Sequence, residues 1–112
     1  MDHYDIWVDL APGVRDLEFV DAVQNYLGML QDAGKIAEYR IERRKFGFAP
    51  PCLAEFHIRV SVNDLAQLDQ AFQHAATRVD PIESLHAAVY QKVVNFKSAL
   101  YRDFPDPVRK TS

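Results

Sequence analysis

The stretch Lys35–Val62, KIAEYRIERRKFGFAPPCLAEFHIRVSV, decides the fold. In its first part Ala37, Tyr39 and Ile41 alternate with Glu38, Arg40, Glu42 and Arg44. A period of two marks a strand with one buried face, here spanning Lys35 to Lys45. The pattern returns from Leu53 to Val62, where Ala54, Phe56, Ile58, Val60 and Val62 oppose Glu55, His57, Arg59 and Ser61. Phe46-Gly47-Phe48-Ala49-Pro50-Pro51 joins the two runs, so they predict an antiparallel hairpin whose double proline is too long for a two-residue turn. A register set by that loop places Arg40 opposite His57 and Glu38 opposite Arg59.

Working outward, Tyr4, Ile6, Val8 and Leu10 alternate with Asp5, Trp7 and Asp9, a further strand stopped by Ala11-Pro12-Gly13. The period then changes. Asp16 is placed to cap a helix with the stripe Leu17, Val20, Val23, Leu27 and Leu30, widened by Phe19, Tyr26 and Ala33 and closed at Gly34. Beyond the hairpin, Asn63 or Asp64 caps a helix carrying Leu65, Leu68, Ala71, Phe72 and Ala75. Asp80-Pro81 interrupts it, and helical spacing resumes through Leu85, Ala88, Val89, Val93 and Phe96 as a short helix Glu83–Asn95. Ser98–Phe104 reads as a fourth strand ended by Pro105-Asp106-Pro107. The alternative is a helix continuing to Phe104, because Phe96, Leu100 and Phe104 stay in helical phase. The order β-α-β-β-α-α-β is the split βαβ plan of the ferredoxin-like fold, an α+β antiparallel sheet with its helices on one face. Residues 1–112 are expected to form a single domain, with 105–112 a frayed tail.

Composition bounds the function. The chain has 112 residues, 48% apolar, and 13 basic against 16 acidic residues give a formal net charge of -3. That balance offers no bulk attraction for nucleic acid. Cys52 stands alone, so no internal disulfide framework exists, and its simplest place is a small buried or half-buried side chain. No secretory leader and no apolar run of spanning length is present, which predicts a cytoplasmic protein with no membrane partner.

Alternation fixes what the far side of the sheet carries: Asp5, Trp7, Asp9, Glu38, Arg40, Glu42, Glu55, His57 and Arg59, with Tyr101 and Asp103 joining through the last strand. Arg102 is then sent to the helix side with Leu100 and Phe104, which suits only an edge strand. Such a face is either a solvated sheet surface with cross-strand charge pairs or one covered by a second copy of the sheet, and an indole among alternating carboxylates favours something resting on it. The candidate ligand-binding residues are Trp7 as a stacking surface, Arg40 and Arg59 as anion-pairing forks, and Asp9, Glu42, Glu55 and Tyr101 around them. His57 is the candidate catalytic base, oriented by Glu55 or Glu42. His3, His57, His74 and His86 are too widely spaced for a metal motif, and no cofactor is called for; His74 and His86 read as helix-surface or cap residues. Arg43-Arg44-Lys45 is the one basic cluster, an exposed strand end. Ile6-Trp7-Val8-Asp9-Leu10 and Arg44-Lys45-Phe46-Gly47-Phe48-Ala49 resemble RNA-recognition strings, but the phenylalanines fall in the loop and not on the strand, so no nucleic-acid partner is expected.

The element order, with the short helix before the last strand, resembles the dimeric α/β-barrel superfamily, which includes stress-responsive A/B barrel domains and small cofactor-free antibiotic-biosynthesis-type monooxygenases. The resemblance covers roughly Tyr4 to Phe104 and rests on order, not on a diagnostic string. It implies a homodimer paired through the open sheet faces, and a ligand pocket between sheet and helices or inside the barrel. No catalytic set of those monooxygenases maps onto this chain. Three functions follow as expectations: a homodimer binding a small organic molecule, anionic if Arg40 and Arg59 take part; a cofactor-independent oxygenase or isomerase with His57 as base; and an interaction module whose charged face specifies pairing without a ligand.

Overall fold

The computed structural model describes residues 1–106. Its elements are β1 (Asp2–Leu10), α1 (Asp16–Asp32), β2 (Glu38–Arg43), β3 (Phe56–Val62), α2 (Leu65–Ala76), α3 (Ile82–Tyr90) and β4 (Val93–Arg102). The four strands form one antiparallel sheet in the order β2-β3-β1-β4, the ferredoxin-like arrangement expected. Residues 107–112, most of the anticipated tail, lie outside the described residues.

Local chemistry explains the element boundaries. α1 begins after Arg15, with Asp16 and Glu18 in its first turn, where carboxylates complement the positive end of the helix dipole. Asp16 is thus the first helical residue and not the cap. At the other end Gly34, at φ 72°, lets Gly34 N–H donate to Gln31 O (3.0 Å) and Lys35 N–H to Leu30 O (2.8 Å). That pair of bonds is a Schellman stop, and the left-handed conformation suits glycine. α2 is capped by Asp64, whose carboxylate accepts Gln67 N–H at 2.8 Å while Gln67 Oε1 accepts Asn63 N–H at 2.7 Å.

The core lies between the helices and the apolar sheet face. Val8, Phe56, Ile58, Val60 and Val62 meet Phe19, Val23, Leu27 and Leu30 of α1 and Leu68 and Ala71 of α2. Phe19, fully buried, packs on Phe56 with ring centroids 5.1 Å apart. Several expected stripe members fall outside this core, Ala33 and Phe72 among them, both exposed. Leu17 and Leu65 are 73% and 55% exposed, because each stands in the first turn of its helix, turned off the buried arc.

Three expectations are corrected. β2 and β3 pair with Glu42 opposite His57, Arg40 opposite Arg59 and Glu38 opposite Ser61, two residues from the expected register. The loop is the reason. Phe46 and Gly47 both take positive φ, and bonds from Phe48 N–H to Lys45 O and from Leu53 N–H to Pro50 O make successive turns that move the fold-over point toward Ala49–Pro50. β4 starts at Val93 and ends at Arg102, so residues 98–102 are strand as expected but the short helix stops at Tyr90. A bulge at Asn95 (φ 59°) breaks the alternation there, which hid the strand period of Val93, Val94 and Phe96. Cys52 is exposed, not buried, because the same loop carries it out into solvent. β4 is an edge strand, so Arg102 reaches the helix side at no burial cost and pairs with Asp106 at 3.2 Å.

This packing predicts that Phe19→Ala lowers unfolding free energy by about 3–5 kcal/mol, whereas Leu17→Ala changes it by less than about 0.5 kcal/mol. Urea titration of both variants measures this, and equal losses would contradict the placement of the core.

Candidate functional site

Among the described residues, no helix covers the second face of the sheet. Cross-strand pairing arranges its side chains in rows: Glu38–Ser61–His3–Tyr101, then Arg40–Arg59–Asp5–Ala99, then Glu42–His57–Trp7–Lys97. The middle of this face holds one connected network. Arg59 grips Asp5 through Nε to Oδ1 at 2.9 Å and a second nitrogen to Oδ2 at 3.2 Å. His57 Nε2 donates to Asp5 Oδ1 at 2.6 Å, and its Nδ1 lies 2.8 Å from Glu42 Oε1. Arg40 donates to the other Glu42 oxygen at 2.7 Å. Trp7 stacks on the His57 ring with centroids 4.9 Å apart and planes 13° from parallel.

The two-residue change of register is what permits this. It sets Arg40 beside Arg59, a like-charge pair, and each guanidinium turns away to a different carboxylate. Asp5 is only 1% exposed although it lies on the uncovered face, because Arg59 and His57 fold over it. Burial alone pushes its carboxyl up, but the hydrogen bonds and charges of Arg59 and His57 outweigh that and hold it below the usual carboxylate value. Glu42 is held down in the same way, by Arg40 first and His57 second. Both ring nitrogens of His57 face carboxylate oxygens, which fixes the ring between Asp5 and Glu42.

The structure therefore brings together Trp7, Arg40, Glu42, His57 and Arg59 of the anticipated residues. Glu55 joins Trp7, Glu42 and His57 in lining an open cleft of about 310 Å³ at the edge of this face, whereas Asp9 and Tyr101 lie apart. Asp9 accepts Glu55 N–H at 2.9 Å and Asn95 Nδ2 at 3.0 Å, tying β1 to the start of β3 and to the β4 bulge; those two bonds lower its carboxyl. Glu55 accepts from Arg43 Nε at 2.5 Å instead of orienting His57. Tyr101 stands beside His3, 55% exposed.

Two groupings were missed in the sequence. His3 is buried at the end of the polar face, with Nδ1 2.8 Å from Ser61 Oγ and Nε2 2.7 Å from Asp103 Oδ1. The residue types suggest a nucleophilic triad, but Ser61 is 3% exposed in the middle of the sheet, so the group clasps β1, β3 and the chain after β4. The second grouping lies on the helix side. A cavity of about 340 Å³ opens between the sheet and all three helices, lined among others by Tyr4, Ile6, Tyr26, Phe72, His86 and Phe96. An adjoining lobe of about 120 Å³ shares Ile6, Tyr26, Leu27, His86 and Phe96. His86 is not a surface residue: it stacks on Tyr26 at 5.1 Å and meets Tyr90 edge-on. Burial, then the charge of Glu83, pushes the Tyr26 phenol up, so it remains a hydrogen-bond donor at neutral pH. The mixed polar and apolar neighbours of Tyr26 and His86 in sequence gave no signal that two separate helices bring them together. Among the described residues, no three His, Cys, Asp or Glu side chains converge as a metal-ligand set, and no helix is long and apolar enough to cross a membrane.

The network predicts a signed pH dependence. Asp5 has a depressed folded pKa, so the unfolded chain binds its proton first on acidification. Its contribution is complete above the ordinary carboxylate value of about 4 and disappears as pH falls through the lower folded value. Asp5→Ala is expected to cost about 3 kcal/mol near neutrality, the low end for a broken buried ion pair, because the Arg59 side chain is 36% exposed. The gap between variant and native chain should close in strong acid. Denaturant titrations across the acid limb measure it, and a gap that widens there would contradict the assignment.

Solved structures with similar folds come from distant sequences. A protein from Arabidopsis thaliana superposes with a TM-score of 0.71 at 6% identity, over 95% of this chain and 98% of that one. A protein from Jannaschia sp. CCS1, described as a dimeric ferredoxin-like protein of unknown function, gives 0.61 at 13% identity over 92% and 100%. A dimeric protein of unknown function and ferredoxin-like fold from Bacteroides fragilis NCTC 9343 gives 0.60 at 7% identity over 91% and 95%. At such identities the likeness establishes the fold alone. No curated protein matches the chain. Over residues 1–112 the sequence matches the DUF6614 family of unknown function, and the chain belongs to that family.

Proposed function

We propose that the chain is a homodimeric small-molecule-binding protein, one α+β domain per copy, whose two polar sheet faces meet as a dimeric α/β barrel and whose ligand is a small, mainly apolar organic molecule held between sheet and helices. The apolar helix-side cavity carries the ligand assignment. Its volume of about 340 Å³ falls within the range of about 300–1,000 Å³ typical of small-molecule sites, and apolar walls with a few polar groups are the usual lining. Tyr26 and His86 are those groups, able to orient a carbonyl or hydroxyl on an otherwise greasy molecule.

The polar face is the less suitable place for a ligand. Two N–H donors of Arg59 hold Asp5 and one of Arg40 holds Glu42, so an anion arriving there would meet guanidinium charge already offset by adjacent carboxylates. Pairing with a second copy suits the face better. It lacks a helix, it carries the half-buried Trp7, and it is bordered by β4, a ten-residue edge strand with Val94, Leu100 and Tyr101 exposed. Long apolar edges template pairing with another chain. The two neighbours described as dimeric share this fold. An exposed, unpaired Cys52 fits a reducing compartment such as the cytoplasm.

Each half of the proposal has its own test. Sedimentation at micromolar concentration should give a dimer, and Trp7→Glu, which adds a charge where the copies meet, should give a folded monomer; a native monomer would remove the barrel. N-phenyl-1-naphthylamine, an apolar fluorophore, should brighten on binding the native chain. Ala75→Phe, which fills the cavity wall, should abolish that signal while the dimer persists. Undiminished fluorescence in the filled variant would remove the cavity as the site.

A further inference from the structure

The β2–β3 loop is left without a task by either half of that reading. Its tip carries Phe46 and Phe48, 82% and 84% exposed, the two most exposed large apolar side chains among the described residues. Single exposed apolar residues are ordinary; two phenylalanines presented together at one loop tip are not. Phe46 also holds a left-handed backbone, φ 58°, which is uncommon for a bulky residue, yet its ring gains no burial in return. The bonds from Phe48 N–H to Lys45 O and from Ala49 N–H to Gly47 O keep that turn closed, so the rings are held outward by structure.

The charge carried by the loop itself has one sign, with Glu42 and Glu55 lying across the cleft that Phe48 borders. Between Arg43 and Leu53 there are three basic residues and no acidic one, in a chain whose net charge is -3. Arg43 is consumed by Glu55 and Asp16 at the base of the loop, which anchors the tip to α1. Arg44 and Lys45 form no ion pair among the described residues, and Lys45 rests over the Phe46 ring, 5.2 Å from its centroid. Pro50, Pro51 and Ala49 complete the tip with almost no side-chain hydrogen-bonding capacity.

We propose that this loop docks the protein reversibly on an anionic lipid bilayer surface, the two phenyl rings entering the headgroup–acyl boundary while Arg44 and Lys45 stay at the lipid phosphates. Aromatic and aliphatic groups inserted under a basic rim are how proteins without a membrane span lie on anionic membranes. The absence of a spanning helix bears only on crossing the bilayer, and a peripheral contact needs none. The rest of the acidic surface is repelled by such a membrane, so the loop is also what orients the molecule. Specific protein recognition is less well served, because the tip offers rings and cations but few groups that read another backbone.

Flotation with extruded vesicles tests this. The native chain at low ionic strength should float with phosphatidylcholine vesicles containing about a third phosphatidylserine about tenfold more than with phosphatidylcholine alone, and added salt should reverse it. Phe46→Asn combined with Phe48→Ser should reduce binding to the phosphatidylcholine level with thermal unfolding unchanged, and Arg44→Glu with Lys45→Glu should do the same. Binding no greater to anionic than to neutral vesicles would overturn the proposal, as would full binding by the phenylalanine variant. So would a phenylalanine variant that loses self-association in solution, since the occupant of the tip would then be a second copy.

Discussion

The middle of the uncovered sheet face is arranged around the carboxylate of Asp5. It sits on a central strand with the small Ala99 on one side and Arg59 on the other, 1% exposed on a face no helix covers. An ionised group so enclosed is tolerated only when its oxygens are hydrogen-bonded, since burying an unpaired charge costs several kcal/mol or more, by order of magnitude. Arg59 and His57 meet that demand, and in doing so their own positions are decided. His57 is then fixed between Asp5 and Glu42, and its ring becomes the platform on which Trp7 lies flat. The chain of constraints runs from one buried charge to the shape of the whole face.

The two sides of the sheet consequently differ in kind. The polar side is closed at its centre: Asp5, Glu42, His57, Arg40 and Arg59 are paired with one another, and the half-buried indole lies beside them. Glu38 and Lys97 at the margins form no ion pair among the described residues. The helix side is apolar but incompletely filled, with α3 standing off the sheet so that Tyr26, His86 and Phe96 border a void. A closed polar face favours pairing, and an unfilled apolar space favours a guest. The β2–β3 loop borders the polar side, where Phe48, Ala49 and Leu53 line an open cleft with Trp7 and His57, while Arg43 fastens its base to α1.

Much of this was legible from period alone. The alternation in Lys35–Val62 separated Tyr39, Ile41, Phe56, Ile58 and Val60 from Glu38, Arg40, Glu42, His57 and Arg59, and the structure keeps both sets on the expected faces. What period does not carry is register. The positive-φ turn at Phe46-Gly47 lengthened the loop by a step that residue types in a proline-rich connection do not declare, and it moved Glu42, in place of Arg40, opposite His57. The bulge at Asn95 hid the start of β4 for a related reason, since one extra residue turns strand alternation into an apparent helical phase. Asp5 was placed on the right face but passed over as a site residue. Its importance comes from three bonds to side chains more than fifty positions away. Tyr26 and His86 were invisible as a pair because they meet only through the packing of α1 against α3.

The central claim is that a second copy covers the polar face over Asp5 and His57. Trp7 is the only tryptophan and lies on that face, so its fluorescence reports on the face directly. Acrylamide quenching of Trp7 emission at micromolar protein is predicted to be several-fold slower than for Trp7 in the Ala99→Arg variant, whose added guanidinium stands beside Asp5 and keeps the copies apart. Equal quenching in the two proteins, both folded, would mean that the indole faces water in the native chain and would contradict the account.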